Sequence, residues 1–242
     1  MIEAVLFDLA NTLVNFHDLK IAAILMEGAQ GTYAHLRQLG VALPGFQRYR
    51  LAHERAFKQR YVWSAICGRD FNFMAVMIEV LRRYAIALPE GHYQRLAWMW
   101  YRPVVRHAYV EAGVAWALEE LRGRNIKLAI ISNTCVPAHC MDQHLAREKL
   151  LPYFPIRIYS STTCYRKPHR KIFEAALEQL GVTPERAAFV GDQLQTDIRG
   201  ARRVGMATIL KTAAPEAKAT RRHQADLVIH RIADLPGILT RL

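Results

Sequence analysis

The stretch Ala4-Val5-Leu6-Phe7-Asp8-Leu9-Ala10-Asn11-Thr12 near the start of the chain decides how the rest is read. Apolar, β-branched and aromatic residues crowd positions 2 to 7 and stop at an acid, the pattern of a buried strand ending in a polar turn. Such a strand belongs in a sheet, and the second half of the chain supplies its neighbours. Strands are predicted over Lys127 to Ser132, Ile156 to Ser160, Ala187 to Gly191, Ala207 to Leu210 and Asp226 to Ile229. Between them fall helical segments: one ending near Arg124, then Pro137 to Leu150, Pro168 to Leu180 and Thr196 to Val204. Strand and helix repeated in this way build a parallel sheet covered by helices on both faces.

From about 16 to 105 the period changes. Apolar residues recur at spacings of three and four through Ile21 to Leu39, Leu51 to Trp63, Phe73 to Tyr84 and His92 to Trp100, with turns at Leu43-Pro44-Gly45 and Leu88-Pro89-Glu90-Gly91. The block reads as an all-helical insertion after the first strand. The expected organisation is therefore an α/β core domain of residues 1–15 and 106–242, carrying a helical domain of residues 16–105. In open parallel sheets ligands bind at the carboxyl ends of the strands, which tells where chemistry is to be sought.

Composition sets outer limits. The chain has 242 residues, 52% apolar and 22% charged, an ordinary balance for a globular protein with a sizeable core. The N-terminal apolar run is too short and too acidic for a signal peptide, and no segment approaches the ~18 apolar residues of a membrane span. A cytoplasmic protein without a membrane partner is the expectation. Cys67, Cys135, Cys140 and Cys164 show no paired spacing, which argues against a disulfide framework or a zinc ribbon. The formal charge of +12 comes from basic residues spread along the chain, among them Arg48, Arg50, Arg82, Arg83, Arg202, Arg203, Arg221 and Arg222. Without aromatic interleaving or a basic arm, this reads as a bias toward anionic substrates rather than a nucleic-acid surface. Nothing in the sequence speaks to oligomeric state.

Polar clusters sit at the carboxyl ends of several predicted strands. They are Asp8-Leu9-Ala10-Asn11-Thr12, Ser132-Asn133-Thr134 and Gly191-Asp192 with Asp197, joined by Arg166-Lys167-Pro168 before a helix. Each residue alone also has a plain structural use: turns favour Asp, helix starts favour Ser, Thr and acids, and a lysine before proline can be a solvated loop residue. Taken together, in this order and with a helical insertion after the first cluster, they resemble the haloacid dehalogenase-like superfamily, whose core is Rossmann-like and whose insertion is a cap.

That resemblance implies a set of roles. Asp8 would be the nucleophile that forms a covalent intermediate. Thr12 and Ser132 would hold the transferring group, Lys167 would neutralise it and orient Asp8, and Asn11, Asn133 and Arg166 would line the substrate. Asp8, the Ala10 carbonyl, Asp192 and Asp197 would hold a magnesium ion, which suits hard oxygen donors. The cap offers His17, Lys20, Arg37, Arg55, Lys58, Trp63, Arg69, Trp98, Trp100, Tyr101 and Arg102 as possible substrate contacts.

The departure is at Ala10. Phosphatases of the superfamily have an aspartate there as general acid and base, a function worth on the order of 100-fold to 10,000-fold in rate. The resemblance then implies a magnesium-dependent phosphatase of a small phosphorylated metabolite, impaired by Ala10. Other readings stay open: a phosphonatase-like carbon–phosphorus hydrolase using a cap lysine (Lys20 or Lys58), a dehalogenase, against which Asp192 speaks, or a catalytically silent binding module.

Overall fold

The computed structural model describes residues 1–212 and 225–242; Arg221 and Arg222 lie outside the described residues. In chain order, β1 (Ala4–Phe7) and the two-residue β2 (Asn15–Phe16) precede four helices, α1 (Ile21–Gln38), α2 (Phe46–Cys67), α3 (Phe73–Arg82) and α4 (Glu90–Val105). Next come β3 (Ala108–Tyr109), α5 (Val114–Gly123), β4 (Lys127–Ser132), α6 (Ala138–Arg147), β5 (Ile156–Tyr159), the short α7 (Ser160–Thr163) and α8 (Arg170–Leu180). Then follow β6 (Ala187–Gly191), α9 (Arg199–Arg203), β7 (Ala207–Lys211) and β8 (Leu227–Ile229).

Among the described residues one six-stranded sheet has the order β5-β4-β1-β6-β7-β8, with every pairing parallel. The apolar run of β1 is explained by its central place, with Phe7 opposite both Ile130 and Val190. Val5 and Phe7 pack on one side against Leu118 and Leu121 of α5 and Leu145 of α6. Ala4 and Leu6 face the other way, against Ile172, Phe173 and Leu177 of α8. A strand covered on both faces has no use for alternation, and burying each large side chain fully contributes roughly 1.5–3 kcal/mol.

The topology also places the site. From β1 the chain steps outward through β4 to β5, then returns to β6 on the far side of β1 and continues to β7 and β8. Connections leaving β1 and β6 diverge, so a crevice opens at their carboxyl ends.

The insertion has a core of its own, built by Leu36, Tyr49, Met77, Leu81, Leu96 and Trp100. α1 and α4 approach closely at Gly28, where a Cβ would stand 2.7 Å from the Trp100 ring. α2 runs longer at both ends than its expected Leu51 to Trp63 and is closed by Gly68 in the left-handed conformation, φ 67°. The Phe73 N–H donates to the Cys135 carbonyl (2.8 Å) and the Asp70 N–H to that of Cys164 (2.9 Å), so the helices lie over the edge where β4 and β5 end.

Three local expectations are corrected. Phe16, expected as the first residue of the helical block, is in a strand: β2 and β3 pair antiparallel, Asn15 with Tyr109 and Phe16 with Ala108, where the chain enters and leaves the insertion. Two-residue strands carry no period to read. The helix expected from Pro168 starts at Arg170, because the His169 ring accepts the Lys171 N–H (3.2 Å) as its cap. The helix expected from Thr196 to Val204 is divided into a π-helical turn, Leu194–Ile198, and α9. No helix among the described residues is long and apolar enough to cross a membrane.

Candidate active site

Asp8 follows β1 directly, its own N–H still donating to the Val190 carbonyl of β6 at 2.8 Å. Its carboxylate is met by the buried ammonium of Lys167 at 2.5 Å, and the same ammonium stands 2.8 Å from Asp197. One cation thus bridges two acids that arrive from opposite sides of the crevice. Burial works against the Lys167 charge, but the two carboxylates more than offset it and raise its pKa.

The supports of this pair are local. Leu9 turns its carbonyl toward the N–H groups of Leu13 and Val14 at 3.0 and 2.9 Å, and Asn11 takes a left-handed φ of 59°. This tight turn brings the fully buried Thr12 back onto Asp8, to which its hydroxyl donates at 3.4 Å. Ser132 ends β4 and is buried beside the crevice. Asn133, next to it, spends both ends of its amide on the Lys167 backbone. Asp197 is seated by the Gln193 N–H (3.0 Å) and lies so close to Gly191 that a Cβ there would stand 2.5 Å from its side chain. Glycine at the end of β6 is what lets Asp197 reach Lys167.

Asp192 is half-buried, and its Oδ1 has no hydrogen-bond partner. It joins Asp8 and Asp197 in a cluster whose ligand atoms lie within 4.8 Å of one another, the one group of potential metal ligands found among the described residues. Lys167 pairs with two of these three carboxylates, Asp8 and Asp197, and burial and like charge both act on Asp8 and Asp192. Asp8 is pushed up to about 6 by burial and by Asp197 and Asp192, against the pull of Lys167. Asp192 is raised by burial and by Asp197. A hard divalent cation fits this set: oxygen donors, surplus negative charge and an unpartnered buried oxygen. The Ala10 side chain is exposed on the turn between Asp8 and Thr12.

Two of the expected substrate contacts point elsewhere. The Asn133 amide is taken by Lys167. The Arg166 guanidinium reaches into the insertion, donating to Ser64 Oγ at 2.9 Å and standing 3.7 Å from the Asp70 carboxylate. Asp70 in turn accepts from Ser160 at the end of β5 (2.7 Å), forming a buried clasp between insertion and sheet. Outside the insertion, Lys211 at the end of β7 holds its ammonium 2.8 Å from Glu111 and donates with it to the Asn11 carbonyl at 3.3 Å. Asp70, Ser160, Glu111 and Lys211 had no signal in the sequence, since each pairs across a long separation. Within the insertion, Trp63 is half exposed, Trp100 is buried in the helical core and Tyr101 binds His144 at 2.8 Å.

Comparison with known proteins places this geometry. The sequence is 36% identical over 101 residues to glyceraldehyde 3-phosphate phosphatase from Pyrococcus furiosus, covering 41% of this chain and 42% of that protein. It is 37% identical over 110 residues to phosphoserine phosphatase from Thermus thermophilus, covering 41% of each. The chain thus spans about two fifths of the length of these relatives. A solved HAD phosphatase from Thermococcus onnurineus covers 98% of both chains at 26% identity, with a TM-score of 0.62. A 2-haloacid dehalogenase from Pseudomonas syringae superposes with a TM-score of 0.65 at 22% identity, covering 100% of this chain and 99% of that one, a likeness of fold. The haloacid dehalogenase-like hydrolase family matches from residue 2 to residue 205, a span that holds the helical insertion, the sheet through β6 and every candidate residue from Asp8 to Asp197, and to that family this chain belongs.

Proposed function

We propose that this protein is a magnesium-dependent phosphatase of small phosphorylated metabolites that works through an aspartyl-phosphate on Asp8. The observation that carries the reading is the cluster of Asp8, Asp192 and Asp197 closed by the single buried ammonium of Lys167. An Asp8 oxygen bonds to phosphorus as the ester oxygen leaves, and water later splits the acyl phosphate. Lys167 aligns Asp8 and balances the charge of the phosphoryl group, while Asp197 and Asn133 fix Lys167. Thr12 and Ser132 donate to the phosphoryl oxygens. Asp8, Asp192 and the Ala10 carbonyl would hold the cation, with Asp197 beside them; the chemistry it supplies when bound is neutralisation of charge on the phosphoryl oxygens.

Residues 16–105 serve in this proposal as a cap over a core domain of 1–15 and 106–242, with the β2–β3 pair at the two crossings. A phosphonatase-like route draws less support, because Lys20 and Lys58 are exposed and the lysine that meets Asp8 is Lys167. A cytoplasmic location stays with the proposal on the sequence grounds given above. The test is turnover of p-nitrophenyl phosphate with magnesium by the wild type and by Asp8→Asn. Turnover in the first and none in the second is the expected result. Magnesium binding without turnover in the wild type would instead identify a silent binding module.

A further inference from the structure

A cleft of about 620 Å³ opens between the C-terminal end of α2 and the loop that carries Lys167, a volume in the range of small-ligand sites. Its charged and aromatic walls are Tyr61 and Arg69 from the insertion and Tyr165, Arg166, Lys167, His169 and Arg203 from the sheet domain; no aspartate or glutamate lines it.

The cations there fall into two kinds. Arg166 and Lys167 are already balanced, by Asp70 and by Asp8 with Asp197. Arg69 and Arg203 belong to no ion pair among the described residues, although arginines close by do: Arg202 pairs with Asp226 at 3.3 Å and Arg170 with Glu174 at 2.6 Å. Two cations and an imidazole ring also gather on Tyr165. The Arg69 guanidinium stands 6.0 Å from its ring centroid, Lys171 lies 4.9 Å from the centroid and bonds its hydroxyl at 3.1 Å, and the His169 ring stacks at 4.6 Å. The Lys171 bond and charge hold that phenol below its ordinary pKa, as a positive field requires.

Unpaired guanidinium groups facing a cleft are well suited to bind phosphate or carboxylate through forked, charge-assisted hydrogen bonds. Lys167 is common to the cleft and to the Asp8 carboxylate, so an anion in the cleft lies one side chain away from the reacting centre. We infer that the cleft between Arg69 and Arg203 binds a second anionic oxygen group, a phosphate or carboxylate, of the same substrate whose phosphate ester meets Asp8. This rests on the phosphatase reading and narrows its substrates to doubly anionic ones.

Calorimetric titration of the Asp8→Asn protein in magnesium tests it without turnover. The probes are inorganic phosphate, butyl phosphate, the bisphosphates of butane-1,4-diol and hexane-1,6-diol, and 4-phosphonooxybutanoate. At least one doubly anionic probe should bind about tenfold or more tighter than butyl phosphate, the worth of roughly one additional charge-assisted contact. Which of the bisphosphates and the carboxylate gains more identifies the second group. Arg69→Gln/Arg203→Gln, added to Asp8→Asn, should abolish that advantage and leave butyl phosphate binding within about twofold. Equal affinities for all esters, or an advantage that survives the double substitution, would overturn the inference and leave the phosphatase reading standing. Failure of every probe, inorganic phosphate included, would overturn both.

Discussion

Asn133 and Lys167 are joined by two hydrogen bonds of opposite sense: the Lys167 N–H donates to Asn133 Oδ1 at 2.7 Å, and Asn133 Nδ2 donates to the Lys167 carbonyl at 3.0 Å. One amide thereby ties the end of β4 to the loop after β5 and fixes the root of the lysine that meets Asp8. Asn133→Ala loses both bonds and should destabilise the fold by about 1–3 kcal/mol. Its larger effect should be on kcat, by about 100-fold, since displacement of a positioned group by an ångström can cost that much. KM should change little. Asn133→Asp keeps the acceptor and should fall between the two in urea melts and steady-state kinetics. A wild-type kcat in the alanine variant would show that Asp8 and Asp197 alone suffice to place Lys167.

Asp192 offers a separate handle: its Oδ1 is unpartnered, and burial, with Asp197 adding to it, raises its pKa. Magnesium at about 100 times its dissociation constant should stabilise the wild type by about 2.7 kcal/mol. Asp192→Asn should lose that gain. Without metal the variant should be as stable as the wild type or more so, since the substitution relieves repulsion with Asp197. Melting in EDTA and in magnesium reads both effects, and equal magnesium shifts for the two proteins would remove Asp192 from the cation site.

His53 in α2 and His144 in α6 predict how stability depends on pH. Burial pushes each down to about 4, with Arg147 adding to the effect on His144. Between about pH 6.5 and pH 4 the unfolded chain takes up protons that the folded chain refuses, so stability falls with falling pH, by roughly 3 kcal/mol per histidine at most. In the metal-free protein Asp8, raised to about 6, acts the other way: its contribution is present at low pH and is lost as pH rises through 6. Comparing His53→Gln with the wild type cancels the Asp8 part. The difference in stability should move toward the variant as pH drops through this window. A difference independent of pH would mean that His53 is protonated in the fold.

What could be read in advance follows from how local each feature is. β4 and β6 match their expected limits, Lys127 to Ser132 and Ala187 to Gly191, because strands buried on both faces leave uninterrupted apolar runs with sharp polar ends. Asp8 and Asp192 were visible for the same reason. The bridge from Ser160 to Asp70 spans 90 residues and that from Lys211 to Asn11 spans 200, and both depend on how separate elements pack, which no local period records. The family resemblance set Asn133 and Arg166 among the substrate contacts. It could not tell that one amide turns back to Lys167 and one guanidinium turns out to Ser64.

Ala10 carries the last prediction, which concerns the step that lacks its acid. The residue is exposed on the turn after Asp8, and Asn11 beside it is held by the Lys211 bond to its carbonyl, so a carboxylate placed at position 10 need not be buried. On the proposed route the ester oxygen would leave as an anion for want of a proton donor, and formation of the aspartyl-phosphate should depend steeply on leaving-group pKa. Water attacking that intermediate would lack a base as well, so an activated substrate should show a burst. Ala10→Asp should therefore raise turnover of an alkyl phosphate by about 100-fold or more while changing that of p-nitrophenyl phosphate far less. Kinetics of both proteins on both substrates decide the matter. An unchanged ratio between substrates would show that another group already serves as the acid, and His17, whose ring stacks on Tyr109 at 4.4 Å where the chain enters the insertion, is then the residue to replace.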